Sequence, residues 1–357
     1  MGRRKVGVIG ATGMVGQRFV SLLEGHPWFE VALVAASAAS AGRAYAEAVA
    51  GRWMLPGPVP PPAAELVVRD AADVDRIGGE VDFVFCAVDL PKEETARLEE
   101  AYARAETPVV SNNSAHRMTP DVPMLIPEVN PDHAVVIEAQ RRRLGTRRGF
   151  VAVKPNCSIQ CYVPAIHPLL AFGPREIAIC TYQALSGAGK TLASWPEMAD
   201  NVIPFIRGEE EKSEQEPLKV WGRVEDGRIV PAAAPAISAQ CVRVPVTDGH
   251  LAAVFASFDR PPSGEEMIQC WRSFEPRPQQ LRLPSAPCPF LTYFEEESRP
   301  QTRVDRDLGG GMGVAIGRLR PDRLFDWRFV CLSHNTVRGA AGGAILMAEL
   351  LAHEGYL

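Results

Sequence analysis

Residues 6–16 constrain the fold more than any other segment of this sequence. Their apolar beginning predicts a short strand, and Gly10, Gly13 and Gly16 follow in a G-x-x-G-x-x-G spacing at the start of a helix-like stretch. Glycines at such a turn let the backbone approach a pyrophosphate, which then lies at the N-terminus of the helix. The alternative is a glycine-rich turn that binds no ligand.

The alternation that begins there continues through the first half of the chain. Strands are predicted at 5–10, 31–36, 66–69, 81–88 and 109–111, with helices at 14–25 and 91–104. This order is typical of a mostly parallel sheet with helices on both faces. Beyond residue 157 the strand-like segments 176–182, 239–245 and 251–258 are longer, and the loops are charged and proline-rich, as in α+β domains.

The sequence therefore predicts an α/β protein of two domains, which suits a length of 357 residues. Residues 1–156 would form a Rossmann-like dinucleotide-binding domain for NADP, completed by a C-terminal helix, 336–357. Residues 157–335 would form an α+β catalytic and dimerisation domain. The apolar stretch 251–258 would leave an open sheet face exposed, and we expect a homodimer or homotetramer to cover it.

Composition argues against several functional classes. The net charge of −5 and the single local arginine cluster at 141–148 do not suggest nucleic acid or an anionic membrane as a partner. No apolar run approaches the ~20 residues that cross a bilayer. The eight cysteines include no C-x-x-C pair, which predicts a reduced, cytoplasmic protein without disulfides or a metal site.

The segment Lys-Pro-Asn-Cys-Ser at 154–158 predicts a catalytic nucleophile. Cys157 precedes an apolar, helix-like run, 159–170, whose free N–H groups and dipole would favour a thiolate. The thiolate is the reactive form of cysteine. A nucleotide loop combined with an activated cysteine suggests oxidation or reduction of an acyl group through a thioester.

A nucleophilic cysteine needs a proton partner, and His250 is the candidate. A histidine can take and return a proton near neutral pH, although a lone histidine is more often structural. Arg243 offers a guanidinium fork for a carboxylate, or a surface ion pair. Glu209 and Lys212 would share a helical face, or simply form a solvated charge run.

Two further segments bear on substrate and cofactor. Gln183 ends a predicted strand before Ser186 and Gly187, and could orient a carbonyl group or be a surface amide. After the second strand there is no acid for the ribose hydroxyls of NAD, whereas Ser37, Ser40 and Arg43 suit the additional phosphate of NADP. The alternative is that Arg43 is an ordinary surface arginine.

Taken in order, these segments resemble the aspartate-β-semialdehyde dehydrogenase family of the archaeal and fungal type. The resemblance runs nearly end to end, through segments 10–16, 111–118, 126–130, 154–158, 182–184, 208–212, 243–250 and 334–344. Such enzymes catalyse the second step of the aspartate pathway toward lysine, threonine and methionine. An NADP-dependent reductive dephosphorylation of L-aspartyl-4-phosphate to L-aspartate-4-semialdehyde, through a cysteine thioester, is the implied reaction.

The resemblance also implies residue roles. Cys157 would be the nucleophile, His250 the acid and base, and Gln183 the group that orients the thioester. Substrate and phosphate would be bound by Arg117, Asn156, Glu209, Lys212 and Arg243. NADP would be bound by Gly10, Thr12, Gly13, Met14, Val15, Ser37, Ser40, Arg43, Ser186, Gly187 and Asn335.

One position departs from the family pattern. The family's cofactor-specificity segment reads Ser-x-Arg-Ser-Ala-Gly, and here Ala39 stands at the arginine position. Losing one charged contact to the phosphate costs about 1.5–3 kcal/mol of binding free energy. The sequence therefore does not decide between NADP and NAD unless Arg43 compensates for the missing arginine. Two other functions stay possible at this stage: an acyl-CoA reductase acting on malonyl- or succinyl-CoA, and a catalytically silent NADP-binding sensor or scaffold.

Overall fold

The first half of the chain forms a parallel sheet in this computed structural model, which describes residues 2–357. Its strands are β1 (Arg4–Ile9), β2 (Phe29–Ala36), β3 (Arg69–Asp70), β4 (Phe83–Cys86), β5 (Val109–Ser111) and β6 (Val151–Val153). They lie in the order β3-β2-β1-β4-β5-β6, with Val8 of β1 paired to Val34 and to Phe85. This doubly wound order confirms the predicted Rossmann-like architecture.

Helices connect these strands and cover both faces of the sheet. They are α1 (Met14–Leu22), α2 (Tyr45–Ala48), α3 (Pro61–Ala64), α4 (Val74–Glu80), α5 (Lys92–Arg104) and α6 (Ile137–Leu144), the last preceded by a 3₁₀ turn at Pro131–Val136. The predicted helix at 14–25 is shorter in the structure, because residues 23–25 form a turn that Gly25 completes with a positive φ of 68°.

The second half of the chain forms a mixed sheet. Helix α7 (Ile159–Ile166) leads into a 3₁₀ segment, His167–Phe172, and then into β7 (Pro174–Gln183). Next come 3₁₀ turns at Leu185–Ala188 and Pro196–Met198, α8 (Glu209–Val220), and the hairpin of β8 (Arg223–Glu225) and β9 (Arg228–Val230). The predicted helix 159–170 therefore ends early, since Pro168 cannot donate a helical hydrogen bond.

The remaining elements complete this sheet and return the chain to the first one. They are β10 (Ala236–Arg243), β11 (His250–Phe258), α9 (Gly264–Arg272), α10 (Arg277–Gln280), β12 (Leu291–Phe294), α11 (Thr302–Asp305), a 3₁₀ turn (Leu308–Gly311), β13 (Val314–Pro321), β14 (Trp327–Ser333), a π-helical turn (Val337–Ala341) and α12 (Gly342–His353). The sheet order is β10-β7-β11-β14-β13-β12.

Helix α12 is buried along nearly its whole length. Ile345, Met347 and Ala348 share one apolar cluster with Val8 and Phe85 of the parallel sheet. The C-terminal helix therefore packs on the parallel sheet, and it begins six residues later than predicted. Among residues 2–357, no helix is long and apolar enough to cross a membrane.

Candidate active site

Cys157 lies in the loop between β6 and α7, where the two halves of the chain meet. Its Sγ is 3.4 Å from Nε2 of His250, the first residue of β11. Asn156 shapes this loop, because its Oδ1 accepts hydrogen bonds from the backbone N–H of Ser158 at 2.7 Å and from the Ser158 hydroxyl at 2.6 Å. The predicted nucleophile and its proton partner are therefore in contact.

Burial favours the uncharged form of both members of this pair. Burial raises the pKa of the Cys157 thiol to about 11, and the Glu209 carboxylate adds to this, while Lys154, Arg117 and Arg243 oppose it. Burial, helped by Arg243, lowers the pKa of His250 to about 3. This favours a resting thiol over the thiolate expected from the sequence, because desolvation opposes the effect of the nearby helix terminus.

The backbone also fixes which nitrogen of His250 carries the proton. Nδ1 accepts the N–H of Ala184 at 3.1 Å, so the neutral ring holds its hydrogen on Nε2, facing Cys157. The neighbouring Gly249 N–H donates to Oδ1 of Asn335 at 2.8 Å, and Nδ2 of Asn335 donates to Oγ of Ser186 at 2.8 Å. Asn335 and Ser186, both predicted cofactor ligands, thus lie beside the histidine.

Two glycines approach the catalytic pair closely. A Cβ atom on Gly187 would lie 3.0 Å from Nε2 of His250 and 2.9 Å from Nη1 of Arg243. A Cβ atom on Gly339, in the π-helical turn before α12, would lie 2.8 Å from Cβ of Cys157. From the sequence, Gly339 is only one residue of the segment 334–344 and has no predicted role. Its position against Cys157 is a tertiary contact, which the spacing of residues along the chain does not reveal.

The predicted substrate-binding residues surround one buried carboxylate. Oε1 of Glu209 accepts from Asn156 Nδ2 at 3.0 Å and from Lys212 Nζ at 2.9 Å, and Oε2 accepts from Gln183 Nε2 at 3.2 Å. Burial alone would raise the pKa of Glu209, but Lys212 and these hydrogen bonds outweigh it and lower that pKa. Arg243 lies nearby, with Nη1 donating to Ala184 O at 2.6 Å.

Arg117 is also close but is more deeply engaged than the sequence suggests. Its Nη1 donates to Oε1 of Glu216 at 3.0 Å and its Nε to the carbonyl of Lys154 at 3.0 Å. Oε2 of Glu216 accepts the backbone N–H of Asn156 at 2.6 Å. Sequence analysis missed Glu216, although Glu209, Lys212 and Glu216 recur at i, i+3 and i+7 on one face of α8.

Lys154 is a further residue without a predicted role. Its side chain is 1% exposed, its Nζ donates to the carbonyl of Pro155 at 3.1 Å, and burial lowers its pKa well below the usual value. A Cβ atom on Gly343 would touch Cε of Lys154 at 2.8 Å. Cys157 therefore packs against the turn before α12 and Lys154 against the first turn of α12, and the lysine belongs to the polar surroundings of the thiol.

The glycine loop borders a separate cavity of about 350 Å³ at the carboxyl ends of β1, β2 and β4. A Cβ atom on Gly10 would lie 2.3 Å from the carbonyl oxygen of Ala87, and a Cβ atom on Gly16 would lie 2.1 Å from the carbonyl oxygen of Gly10. Neither position therefore accepts a side chain. The cavity is lined by Gly10, Thr12, Gly13, Ala36, Ser37, Arg52, Ala71, Ala87, Val88, Asp89 and Leu90.

This cavity fits the phosphate-bearing half of a dinucleotide. Met14 and Val15 begin α1, and no side chain in the described part of the chain, 2–357, caps that helix. The N–H groups of a first helical turn have no acceptor within the helix and are suited to a pyrophosphate. Of the residues predicted to determine cofactor choice, Ser37 lines the cavity, Ser40 is buried beside it, and Arg43 does not line it.

Comparison with known proteins agrees with this geometry. Residues 5–137 match the family model described as semialdehyde dehydrogenase, NAD binding domain, and residues 166–338 match the one described as semialdehyde dehydrogenase, dimerisation domain. An aspartate-semialdehyde dehydrogenase of Archaeoglobus fulgidus is 44% identical over 354 residues, covering 99% of each chain. One from Aspergillus fumigatus is 41% identical over 364 residues, also covering 99% of each.

Solved structures give the same result. The aspartate-semialdehyde dehydrogenase of Candida albicans, crystallised with NADP, superposes with a TM-score of 0.89 at 36% identity, and 100% of both chains is covered. The aspartate-semialdehyde dehydrogenase II of Vibrio cholerae gives a TM-score of 0.76 at 25% identity, covering 99% of this chain and 100% of the other. The chain belongs to the aspartate-semialdehyde dehydrogenase family.

Proposed function

We propose that this protein converts L-aspartyl-4-phosphate to L-aspartate-4-semialdehyde and phosphate with NADPH as the reductant. The observation that carries the proposal is the 3.4 Å contact between Cys157 Sγ and His250 Nε2 beside the Glu209 and Arg243 cluster. A thiol in contact with an imidazole N–H, which can stabilise negative charge on the sulfur, is an arrangement suited to thioester chemistry. The nearby paired charges suit a zwitterionic substrate.

The substrate is held through its charges. The Arg243 guanidinium binds the α-carboxylate, the Glu209 carboxylate accepts hydrogen bonds from the α-ammonium, and Lys212 and Arg117 bind phosphate. Lys212 is the better placed of these two cations, because its side chain is 35% exposed whereas that of Arg117 is 10% exposed and paired with Glu216. Gln183 and Asn156, which both donate to Glu209, keep its carboxylate in position.

In the first chemical step, Sγ of Cys157 attacks the acyl carbon. The C–S bond of the thioester forms, the C–O bond to phosphate breaks, and the thiol proton leaves with phosphate. His250 donates from Nε2 toward the sulfur, which stabilises negative charge as the thiol ionises. Its use as a base would require breaking the hydrogen bond from Ala184 to Nδ1, so its role as a donor is the one that the backbone supports.

The second step reduces the thioester. NADPH would be held by Gly10, Thr12, Gly13, Met14, Val15 and Ser37 on the phosphate side and by Ser186, Gly187 and Asn335 near His250, and it would supply the hydride. The C–S bond then breaks, the aldehyde leaves, and Sγ returns as a thiolate. His250 holds its Nε2 proton beside that sulfur, so the thiolate is stabilised until it is protonated again.

One assay tests the function. Purified protein is mixed with aspartate semialdehyde and NADP, with and without phosphate, and nicotinamide absorbance is followed. We expect NADP reduction that depends on phosphate, because the reverse reaction must regenerate the acyl phosphate. Turnover that requires coenzyme A instead would support an acyl-CoA reductase, which the names of the full-length relatives do not favour. Binding of NADP without any turnover would support the silent sensor.

The match to a dimerisation domain indicates an oligomer, and we propose a homodimer or homotetramer. Its interface would be the open face of the mixed sheet, where β11 presents the half-buried side chains of Leu251, Ala253 and Phe255.

The domain division that we propose follows the two sheets, with the boundary at 156/157 and residues 336–357 assigned to the first domain. All eight cysteines are free, which supports the proposed cytoplasmic location.

A further inference from the structure

In Rossmann-like folds the residues that distinguish NAD from NADP follow the second strand. There the wall of the cavity is made by Ala36 and Ser37, neither of which is an acid that could bind two ribose hydroxyls. The carboxylate that does line the cavity, Asp89, follows β4 instead. The cation that lines it is Arg52, which lies beyond α2 and was not among the predicted cofactor ligands.

Arg52 is oriented by hydrogen bonds that leave part of its guanidinium free. Its Nε donates to the carbonyl of Ala48 at 2.8 Å and its Nη2 to Oγ of Ser40 at 3.3 Å. Within residues 2–357, its Nη1 makes no hydrogen bond. Ser40 is 6% exposed, so it anchors the arginine side chain from below the surface of the cavity.

The backbone of Arg52 is tied to the glycine loop itself. Gln17 of α1 is 1% exposed, and its Nε2 donates to the carbonyls of both Thr12 and Arg52, each at 3.0 Å. Its Oε1 accepts the N–H of Met54 at 2.9 Å. One buried amide therefore links the pyrophosphate-binding turn to the segment that carries the arginine.

Arg43, the residue expected to compensate for Ala39, is placed differently. Like Arg52 it is exposed, but its Nη2 donates to the carbonyl of Glu47 at 2.9 Å and it does not line the cavity. It therefore offers a matched control: a second arginine of the same β2–β3 connection, also hydrogen-bonded to a main-chain carbonyl, but outside the cavity.

We propose that Arg52 binds the 2′-phosphate of NADP and supplies the cofactor preference that Ala39 no longer provides. A guanidinium presents its N–H groups as a fork that matches phosphate oxygens. The hydroxyl of Ser37 and the partly free hydroxyl of Ser40 complete the polar surroundings. The inference rests on the proposed use of NADP and assigns it to a residue from another segment of the chain.

The test measures binding without catalysis. Dissociation constants for NADP and NAD are determined by calorimetry for the wild type, Arg52→Gln and Arg43→Gln, with 2′,5′-ADP and 5′-ADP as fragment probes. We expect Arg52→Gln to weaken NADP and 2′,5′-ADP about 10- to 100-fold, the loss of one charge-assisted contact. NAD and 5′-ADP should change less than about twofold, and Arg43→Gln should leave all four values unchanged. Arg52→Lys should retain part of the preference at low salt, since it keeps the charge and loses the fork.

Three results would overturn the assignment: equal weakening of NADP and NAD, no weakening of either, or loss of the preference in Arg43→Gln. Unchanged NAD binding in Arg52→Gln is also the control that the variant is folded. A wild type that binds both cofactors equally would contradict the proposed use of NADP and this inference together. A wild type that prefers NADP, with the preference intact in Arg52→Gln, would contradict only the inference.

Discussion

At the scale of single residues, the proposal depends on one sulfur atom. We expect Cys157→Ser to lower kcat by at least about 10³-fold, because an alcohol replaces the far better thiol nucleophile. NADP affinity should change less than about twofold, since no contact of Cys157 with the cofactor cavity is required. Steady-state rates and calorimetry measure both. Cys288→Ser is the matched control, because that cysteine is exposed and outside the site; full activity in Cys157→Ser would contradict covalent catalysis.

The protonation state of the same residue can be read from its alkylation. A pKa of about 11 means that the folded protein holds the proton more tightly than a free thiol, so little thiolate is present at pH 7. The rate of Cys157 alkylation by iodoacetamide should therefore rise with pH up to about 11. A rate that is already constant from pH 6 to 8 would instead reveal a stable thiolate–imidazolium pair.

Glu209 affects both substrate binding and the pKa of the Cys157 thiol. Its carboxylate raises the pKa of the Cys157 thiol, so Glu209→Gln should lower that pKa and speed alkylation at a fixed pH. The same change should raise KM for aspartate semialdehyde about 10- to 100-fold, because the ammonium group loses a charged acceptor. Glu210→Gln is the control, since Glu210 bonds to Gln240 and Cys241. A rise in KM without faster alkylation would show that Glu209 does not act on the thiol.

At the scale of elements, much of the first half could be predicted from sequence and less of the second. The glycine turn after β1 and the period of the flanking segments are local signals, so β1, α1, β2 and α5 were predicted nearly in place. The π-helical turn before α12 was predicted as plain helix, because Gly- and Ala-rich sequence does not encode a kink. Residues that act across elements leave no local pattern; examples are Arg52, whose carbonyl accepts from Gln17 of α1, and Glu216, which accepts the N–H of Asn156.

That turn gives a test of its own. Gly339→Ala would place a methyl group 2.8 Å from Cβ of Cys157, and the nucleophile must shift. A misplacement of about 1 Å can cost about 10²-fold in rate, so we expect kcat to fall by one to two orders of magnitude with NADP affinity retained. In the control Gly79→Ala, where a Cβ meets no atom within 4 Å, the rate should be unchanged. Equal rates in the two variants would show that the turn does not position Cys157.

At the scale of the whole molecule, the mixed sheet has one covered and one open face. Along β11, Ala252, Val254 and Ala256 belong to the buried core that includes α7, while Leu251, Ala253 and Phe255 alternate with them and are half-buried. An apolar sheet face is stable in water only when it is covered. A second copy of the chain can cover it by a two-fold axis, which is the commonest symmetry of soluble oligomers.

Ala253 lies at the centre of that face, paired with Cys180 of β7 on one side and Val330 of β14 on the other. We expect Ala253→Arg to dissociate the oligomer, because an unpaired charge at the centre of an apolar interface must be desolvated. Light scattering at micromolar concentration should show an oligomer for the wild type and a lower mass for the variant. Val67→Arg, at an exposed position in the parallel-sheet half, should leave the mass unchanged. A folded Ala253→Arg protein with the wild-type mass would place the interface elsewhere.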